Sequence, residues 1–136
     1  MKINDKELIS AARAAREKSY CPYSSFSVGA ALLAENGKIY TGANIENASF
    51  TPTVCAERVA LFTAIHEGER KFSAIAISGG KEGEAPSSAF YPCGVCRQVL
   101  SEFCTEDFRV IVDTAEGGVV LTMRELYPHG FTKEQM

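Results

Sequence analysis

The sequence predicts an α/β fold, a single-domain α/β/α sandwich built on one mixed five-stranded sheet. Three observations lead there. Helical and strand patterns follow one another in the order α-β-β-α-β-α-β-β-α, the signature of helices packed on a sheet. "SAIAISG" (73–79) is a nearly continuous apolar run of strand length, and "RVIVDT" (109–114) reads as another buried strand, as expected where a sheet is covered on both faces. A chain of 136 residues can close one core and not two, so residues 1–136 are expected to form one domain.

Each element has its own local reason. Asn4 can cap a first helix, with Glu7 three residues on as the capping-box partner. Leu8, Ile9, Ala11, Ala12 and Ala15 give that helix an apolar face, and Pro22 in "CPYSS" (Cys21–Ser25) is expected to stop it. "FSVGAALLA" and "KIYTGANI" read as two strands joined through "ENGK", where Asn36-Gly37 is a strong hairpin signal because both residues tolerate positive φ. Cys55–Glu67 reads as a helix with Val59, Leu61, Phe62 and Ile65 as its apolar positions and Gly68 just beyond. The stretch "KEGEAPSSAFYP" is expected to be a loop. A third helix starts at Cys93 or Gly94 and carries Val95, Val99, Leu100 and Phe103. "AEGG" is a turn, "VVLTM" a last strand and "MRELY" a short terminal helix.

Composition removes several functional classes. Apolar residues make up 46% and charged residues 23%, ordinary for a globular chain. A net charge of −3 without any Lys/Arg run argues against a nucleic-acid or anionic-membrane surface. No apolar h-region opens the chain, and no run approaches the ~18 apolar residues of a membrane span, so a cytoplasmic location is expected. Five cysteines are an odd count, unlike a disulfide framework, and in a reducing compartment they point to metal or catalysis.

Cys93 and Cys96 form a C-x-x-C pair at a helix opening, where residues three apart share a face and two sulfurs can converge on one ion. Unpaired N–H groups at that helix start favour thiolate, the metal-binding form. Cys55 opens the other central helix in the same setting. Three such thiolates suggest a tetrahedral zinc that leaves one position for water. A redox dithiol or a structural zinc are the competing readings of the same cysteines. A structural zinc needs a fourth ligand. His66 and Cys104 lie too far along their helices to supply it, whereas Cys21 and His129 remain open on local geometry.

Glu57 follows Cys55 by two residues. Zinc acidifies a water toward a pKa of about 7. A carboxylate beside the metal, but not bound to it, can then move protons from the water to a ring nitrogen and on to departing ammonia. Arg58 can donate to the ligand sulfurs and withdraw charge from a site that three thiolates would otherwise leave too negative.

"CAER" followed by "PCGVCRQV" closely resembles the cytidine deaminase family in its short, homotetrameric, three-cysteine form. Zinc deaminases carry H-x-E and then P-C-x-x-C, with a cysteine allowed for the histidine. The blocks "CPYSSFSVGAALL", "GANIENASF", "CAERVALF", "PCGVCRQVLSEF" and "ELYPHGF" stand in the family's order across nearly the whole chain. The resemblance implies a cytidine-deaminase-like fold and one Zn2+ per chain on Cys55, Cys93 and Cys96, with Glu57 as proton shuttle. It implies that Asn44 and Glu46 bind the ribose 3′-hydroxyl, and that the Ala56 N–H binds the pyrimidine O2. Phe26 then lines the base pocket, and Phe131 stacks on the base of a neighbouring subunit, making the homotetramer the working unit.

Tyr91 stands where a serine is more usual, Phe50 where many members carry tyrosine, and His129 has no assigned role. The activity implied is hydrolysis of cytidine and 2′-deoxycytidine to the uridines with release of ammonia, as in pyrimidine salvage. A small nucleoside is the expected partner, with no nucleic acid and no membrane. A related zinc deaminase acting on another aminated base, or a zinc-stapled structural module, are the alternatives.

Overall fold

A computed structural model of the chain describes residues 3–86 and 89–136. Its first helix, α1 (Asp5–Ala15), begins where the cap stands: Asn4 Oδ1 accepts from the Glu7 N–H at 2.9 Å. The helix ends well before Pro22, so the proline is not what stops it. A 3₁₀ turn over Arg16–Lys18 follows, and Ser19 is already extended at ψ 142°. Tyr20 is drawn into an extended pairing, its N–H donating to the Asn44 carbonyl and its carbonyl accepting from the Glu46 N–H.

Strands β1 (Phe26–Ala34) and β2 (Ile39–Ala43) form the expected hairpin. Only Gly37 uses positive φ in its turn, at 93°. Asn36 contributes through its side chain instead, accepting from the Lys38 N–H and donating to Glu69. Next come α2 (Ala56–His66), β3 (Phe72–Lys81), α3 (Gly94–Phe103), β4 (Arg109–Thr114), β5 (Gly117–Thr122) and the short α4 (Met123–Leu126). A 3₁₀ turn, Lys133–Gln135, lies beyond the last element expected from the sequence and is held by a capping box at Thr132. In the loop expected over 81–92, Lys81 belongs to β3, and Ser87 and Ser88 lie outside the described residues.

The five strands stand in the order β2-β1-β3-β4-β5. β1 is antiparallel to both β2 and β3, while β3 and β4 are parallel. β2, β3 and β4 therefore run the same way. Strand alternation divides the core between the two faces. Val28, Ala30, Leu32, Ile75, Ile77, Val110 and Val112 share one cluster with Ala60, Leu61, Ala64 and Leu100 of α2 and α3. Ala31, Ala74, Ala76 and Ile111 face the other way, onto Leu8 and Ala12 of α1. Buried Asp113 ties α1 to the sheet, accepting from Arg13 at 2.7 and 2.9 Å and from the Ser78 hydroxyl at 2.9 Å.

The helices bury faces that differ from a simple apolar count. On α2 the buried positions are Ala56, Glu57, Ala60, Leu61 and Ala64, while Phe62 is exposed. On α3, Cys96 and Leu100 are buried and Val95 is exposed. Small residues win on α2 because the helix lies almost on the sheet. A Cβ at Gly42 of β2 would stand 2.5 Å from the Ala60 nitrogen and 2.6 Å from the Ala56 oxygen.

Gly42→Ala is therefore expected to destabilise the protein by about 1–3 kcal/mol through overpacking against backbone that cannot yield. Gly94→Ala, where a Cβ meets nothing within 4 Å, is expected to be neutral or slightly stabilising. Thermal unfolding of both variants checks this contrast, and equal Tm values would refute the close packing of α2.

Candidate active site

Two helices start at one edge of the sheet. α2 follows β2 and α3 follows β3, and because those strands are parallel both helix N-termini lie at the strands' carboxyl ends. The N-cap of α2 is Cys55 and that of α3 is Cys93, each in extended geometry and neither making a side-chain capping bond. Cysteine is a poor cap, so these positions serve something other than helix stability. Their first-turn N–H groups and dipole ends face the sulfurs and favour negative charge there.

The sulfurs of Cys55, Cys93 and Cys96 lie within 4.8 Å of one another, and Cys55 Sγ is 3.7 Å from Cys93 Sγ. Tetrahedral zinc with Zn–S of about 2.3 Å holds its sulfurs roughly 3.8 Å apart, whereas a disulfide needs about 2.05 Å. The spacing fits shared ligation of one ion. Protonation points the same way. The Cys55 thiol is pushed down by its hydrogen bond with Cys96, then by contacts with Arg58 and Cys93. That same hydrogen bond pushes Cys96 up, helped by burial and by the Glu57 charge. Metal binding requires the thiolate form, and a cation among the sulfurs favours it. Cys21, Cys104, His66 and His129 are not part of this group among the described residues. Burial alone pushes Cys104 up to about 12.

Glu57, in the first turn of α2, is only 1% exposed, and its Oε1 has no hydrogen-bond partner. An unpaired buried carboxylate oxygen is costly, and such exceptions concentrate where a ligand is meant to complete them. Burial pushes the Glu57 carboxyl up to about 7, and the charge on Cys55 adds to it. Arg58 Nη2 lies 3.6 Å from Cys55 Sγ and 3.5 Å from the Thr53 carbonyl oxygen. Its Nε is buried without a partner. The guanidinium thus sits against the Cys55 sulfur.

Beyond the cluster, Asn44 and Glu46 follow β2, and Ala56, whose N–H opens α2, is fully buried. Phe26 begins β1 and is half-buried. Its ring meets Phe90 with centroids 5.1 Å apart at 34°, and Gly79 leaves the room for both. Phe131 lies in the segment between α4 and the last 3₁₀ turn. It is 57% exposed, and its carbonyl accepts from Gln98 Nε2 at 2.9 Å. Gln98 comes two residues after Cys96, about 200° around α3 and so on the opposite side of that helix. Phe50 and Tyr91 are both exposed.

Sequence reasoning misses Ser19, which donates to Asn44, Ser24, which donates to Glu46, and Phe90 behind Phe26. No periodicity or spacing marks them. The only signal for Ser24 is its place inside "CPYSSFSVGAALL".

A family model described as the cytidine and deoxycytidylate deaminase zinc-binding region matches residues 2–112. A cytidine deaminase of Sporosarcina psychrophila is 46% identical over 96% of this chain and 93% of its own length. One of Halalkalibacterium halodurans is 48% identical over 95% of each chain. Among solved structures, cytidine deaminase from Burkholderia pseudomallei superimposes with a TM-score of 0.87 at 42% identity, covering 95% of this chain and all of that one.

Changing Cys55, Cys93 or Cys96 singly to serine is expected to reduce bound zinc from about one per chain to well below that. Removing one of three ligands forfeits much of an affinity worth roughly 10–16 kcal/mol in structural zinc sites. Metal analysis of the purified variants checks it, with Cys104→Ser as the control that keeps its zinc.

Proposed function

The chain belongs to the cytidine and deoxycytidylate deaminase family, and on that premise we propose that it hydrolyses cytidine and 2′-deoxycytidine to uridine and 2′-deoxyuridine with release of ammonia. The observation that carries this reading is Glu57, a buried carboxylate with an unpartnered oxygen beside three convergent sulfurs. Residues 1–136 act as one catalytic domain, and the work is that of a cytoplasmic salvage enzyme, where reducing conditions keep ligand thiols free.

Cys55, Cys93 and Cys96 would hold zinc, which would supply the Lewis acidity that lets water lose a proton near neutral pH. Glu57 takes that proton and passes it to the pyrimidine N3 as the oxygen bonds to C4. It then takes the proton of the new C4 hydroxyl and delivers it to the amino group as the C4–N bond breaks, so water and cytidine leave as uridine and ammonia. A carboxyl held near 7 by burial suits both duties, since neither form is strongly disfavoured at working pH. Arg58 draws charge from the Cys55 sulfur. The Ala56 N–H holds the pyrimidine O2 and Phe26 lines the base. Asn44 and Glu46 hold the sugar 3′-hydroxyl, which ribose and deoxyribose share.

Purified protein mixed with cytidine is expected to lose ultraviolet absorbance and release ammonia, with about one zinc per chain. Glu57→Gln is expected to keep its zinc and Tm while kcat falls by about 10²–10⁴. Tightly held zinc without turnover of any cytosine nucleoside would sink the reading and leave a zinc-stapled structural module in its place.

The chain is further proposed to work as a homotetramer in which Phe131 of one copy stacks on the base bound by the next. Its exposure, and its tether on the side of α3 away from Cys96, support an action in trans. Phe131→Ala is expected to raise KM by about tenfold, given roughly 1–3 kcal/mol for stacking an aromatic on a base, with zinc content unchanged. Steady-state kinetics beside size-exclusion chromatography test it, and an unchanged KM or a monomer with full activity would refute it.

A further inference from the structure

The segment Cys21–Ser25 is folded around a carboxylate. Glu46 Oε1 accepts from the backbone N–H groups of Tyr23 at 3.0 Å and Ser24 at 3.1 Å. Its Oε2 accepts from the Ser24 hydroxyl at 2.5 Å. Ser24 Oγ in turn accepts from the Phe26 N–H at 3.0 Å, so the hydroxyl's one hydrogen is committed to Glu46. Ser25 takes a left-handed φ of 58°, and its carbonyl accepts from the Glu82 N–H at 2.8 Å, which pins the loop to the end of β3.

Counting donors and acceptors shows what this leaves. An ionised carboxylate has about four acceptor sites, and three on Glu46 are used. Asn44 is committed in the same way. Its Oδ1 accepts from the Ser19 hydroxyl at 2.6 Å and the Val28 N–H at 2.9 Å, and its Nδ2 donates to the Phe26 carbonyl at 2.9 Å. The Val28 N–H can only donate and the Phe26 carbonyl can only accept, so the amide's orientation is fixed and one N–H remains. Glu46 and Asn44 together offer one acceptor and one donor, the complement of a single unsubstituted hydroxyl. Hydrogen bonding from Ser24 also holds the Glu46 carboxyl below its ordinary range, so it stays a pure acceptor.

We propose that Ser24 is a positioning residue of the sugar subsite, its hydroxyl aiming the remaining acceptor site of Glu46 at the 3′-hydroxyl of the nucleoside. The proposal rests on the reading of Asn44 and Glu46 as the sugar-binding pair. The same hydroxyl fixes the Phe26 N–H while Asn44 fixes the Phe26 carbonyl, so both sides of the base-pocket residue are held by the groups that read the sugar.

The test compares kcat/KM for cytidine and for 3′-deoxycytidine in the parent enzyme and in Ser24→Ala, Ser24→Gly and Ser24→Thr, with Tm and zinc content measured alongside. The parent is expected to prefer cytidine strongly. Loss of the hydroxyl in the alanine and glycine variants is expected to lower kcat/KM for cytidine about tenfold, mostly through KM, as for a hydrogen bond to a charged group. It is expected to lower kcat/KM for 3′-deoxycytidine by a clearly smaller factor, the share that passes through the Phe26 N–H, so that the preference for cytidine narrows, while threonine restores the preference. Equal losses on both substrates would make Ser24 a merely structural residue and overturn the proposal, as would a preference unchanged in both hydroxyl-less variants. A parent enzyme that turns over both substrates equally would overturn the sugar reading of Asn44 and Glu46 itself, and the proposal with it.

Discussion

The common direction of β2, β3 and β4 is the constraint on which everything else depends. It sends α2 and α3 off the same edge of the sheet, so two helix N-termini and their unpaired N–H groups meet there. Reversing either strand would carry one N-cap to the opposite edge, roughly a strand length away. Cys55 and Cys93 can then converge to 3.7 Å only because α2 also lies close to the sheet. That approach is made possible by Gly42 beneath it and by Ala56, Ala60 and Ala64 on its inner face. The close packing of α2 is in this sense a condition of the site.

The two sides of the site satisfy their polar groups in opposite ways. On one side, Asn44 and Glu46 spend nearly all their capacity on Ser19, Ser24 and nearby backbone, leaving one donor and one acceptor. Such saturation fixes orientation before a ligand arrives, which limits what is lost on binding. On the metal side, Glu57 Oε1 and Arg58 Nε are buried without partners, and three sulfurs crowd one another. Crowded thiols and an orphaned carboxylate are costly by themselves, and a cation among the sulfurs and a hydrogen-bond partner for Glu57 are what would offset that cost. Recognition is prebuilt, while the reacting centre is completed by what binds to it.

Much of this was legible in the residues. Strand boundaries at "FSVGAALLA" and "RVIVDT", the Asn4 cap and the three zinc ligands follow from patterns that act over a few residues. Where local patterns misled, tertiary contacts had overruled them. Pro22 has the power to end a helix, but α1 had already given way to the pairing of Tyr20 with Asn44 and Glu46. Phe62 and Val95 are apolar and yet exposed, because the inner face of α2 is filled by Ala56, Glu57, Ala60, Leu61 and Ala64 and that of α3 by Cys96 and Leu100.

By itself, then, the sequence determined the three cysteines that cluster, the carboxylate beside them and the elements that carry them, since residue identity, spacing and helix starts are properties of short segments. Only the tertiary structure decided which groups within that set are still free to act. Hydrogen-bond saturation of Asn44 and Glu46 draws on residues as far apart as Ser19 and Phe26 on one side and β2 on the other, and the burial of Glu57 needs the whole sheet beneath it. These are many-residue properties of a packed interior, where removing water makes every unpaired donor and acceptor count, and no short stretch of sequence encodes them.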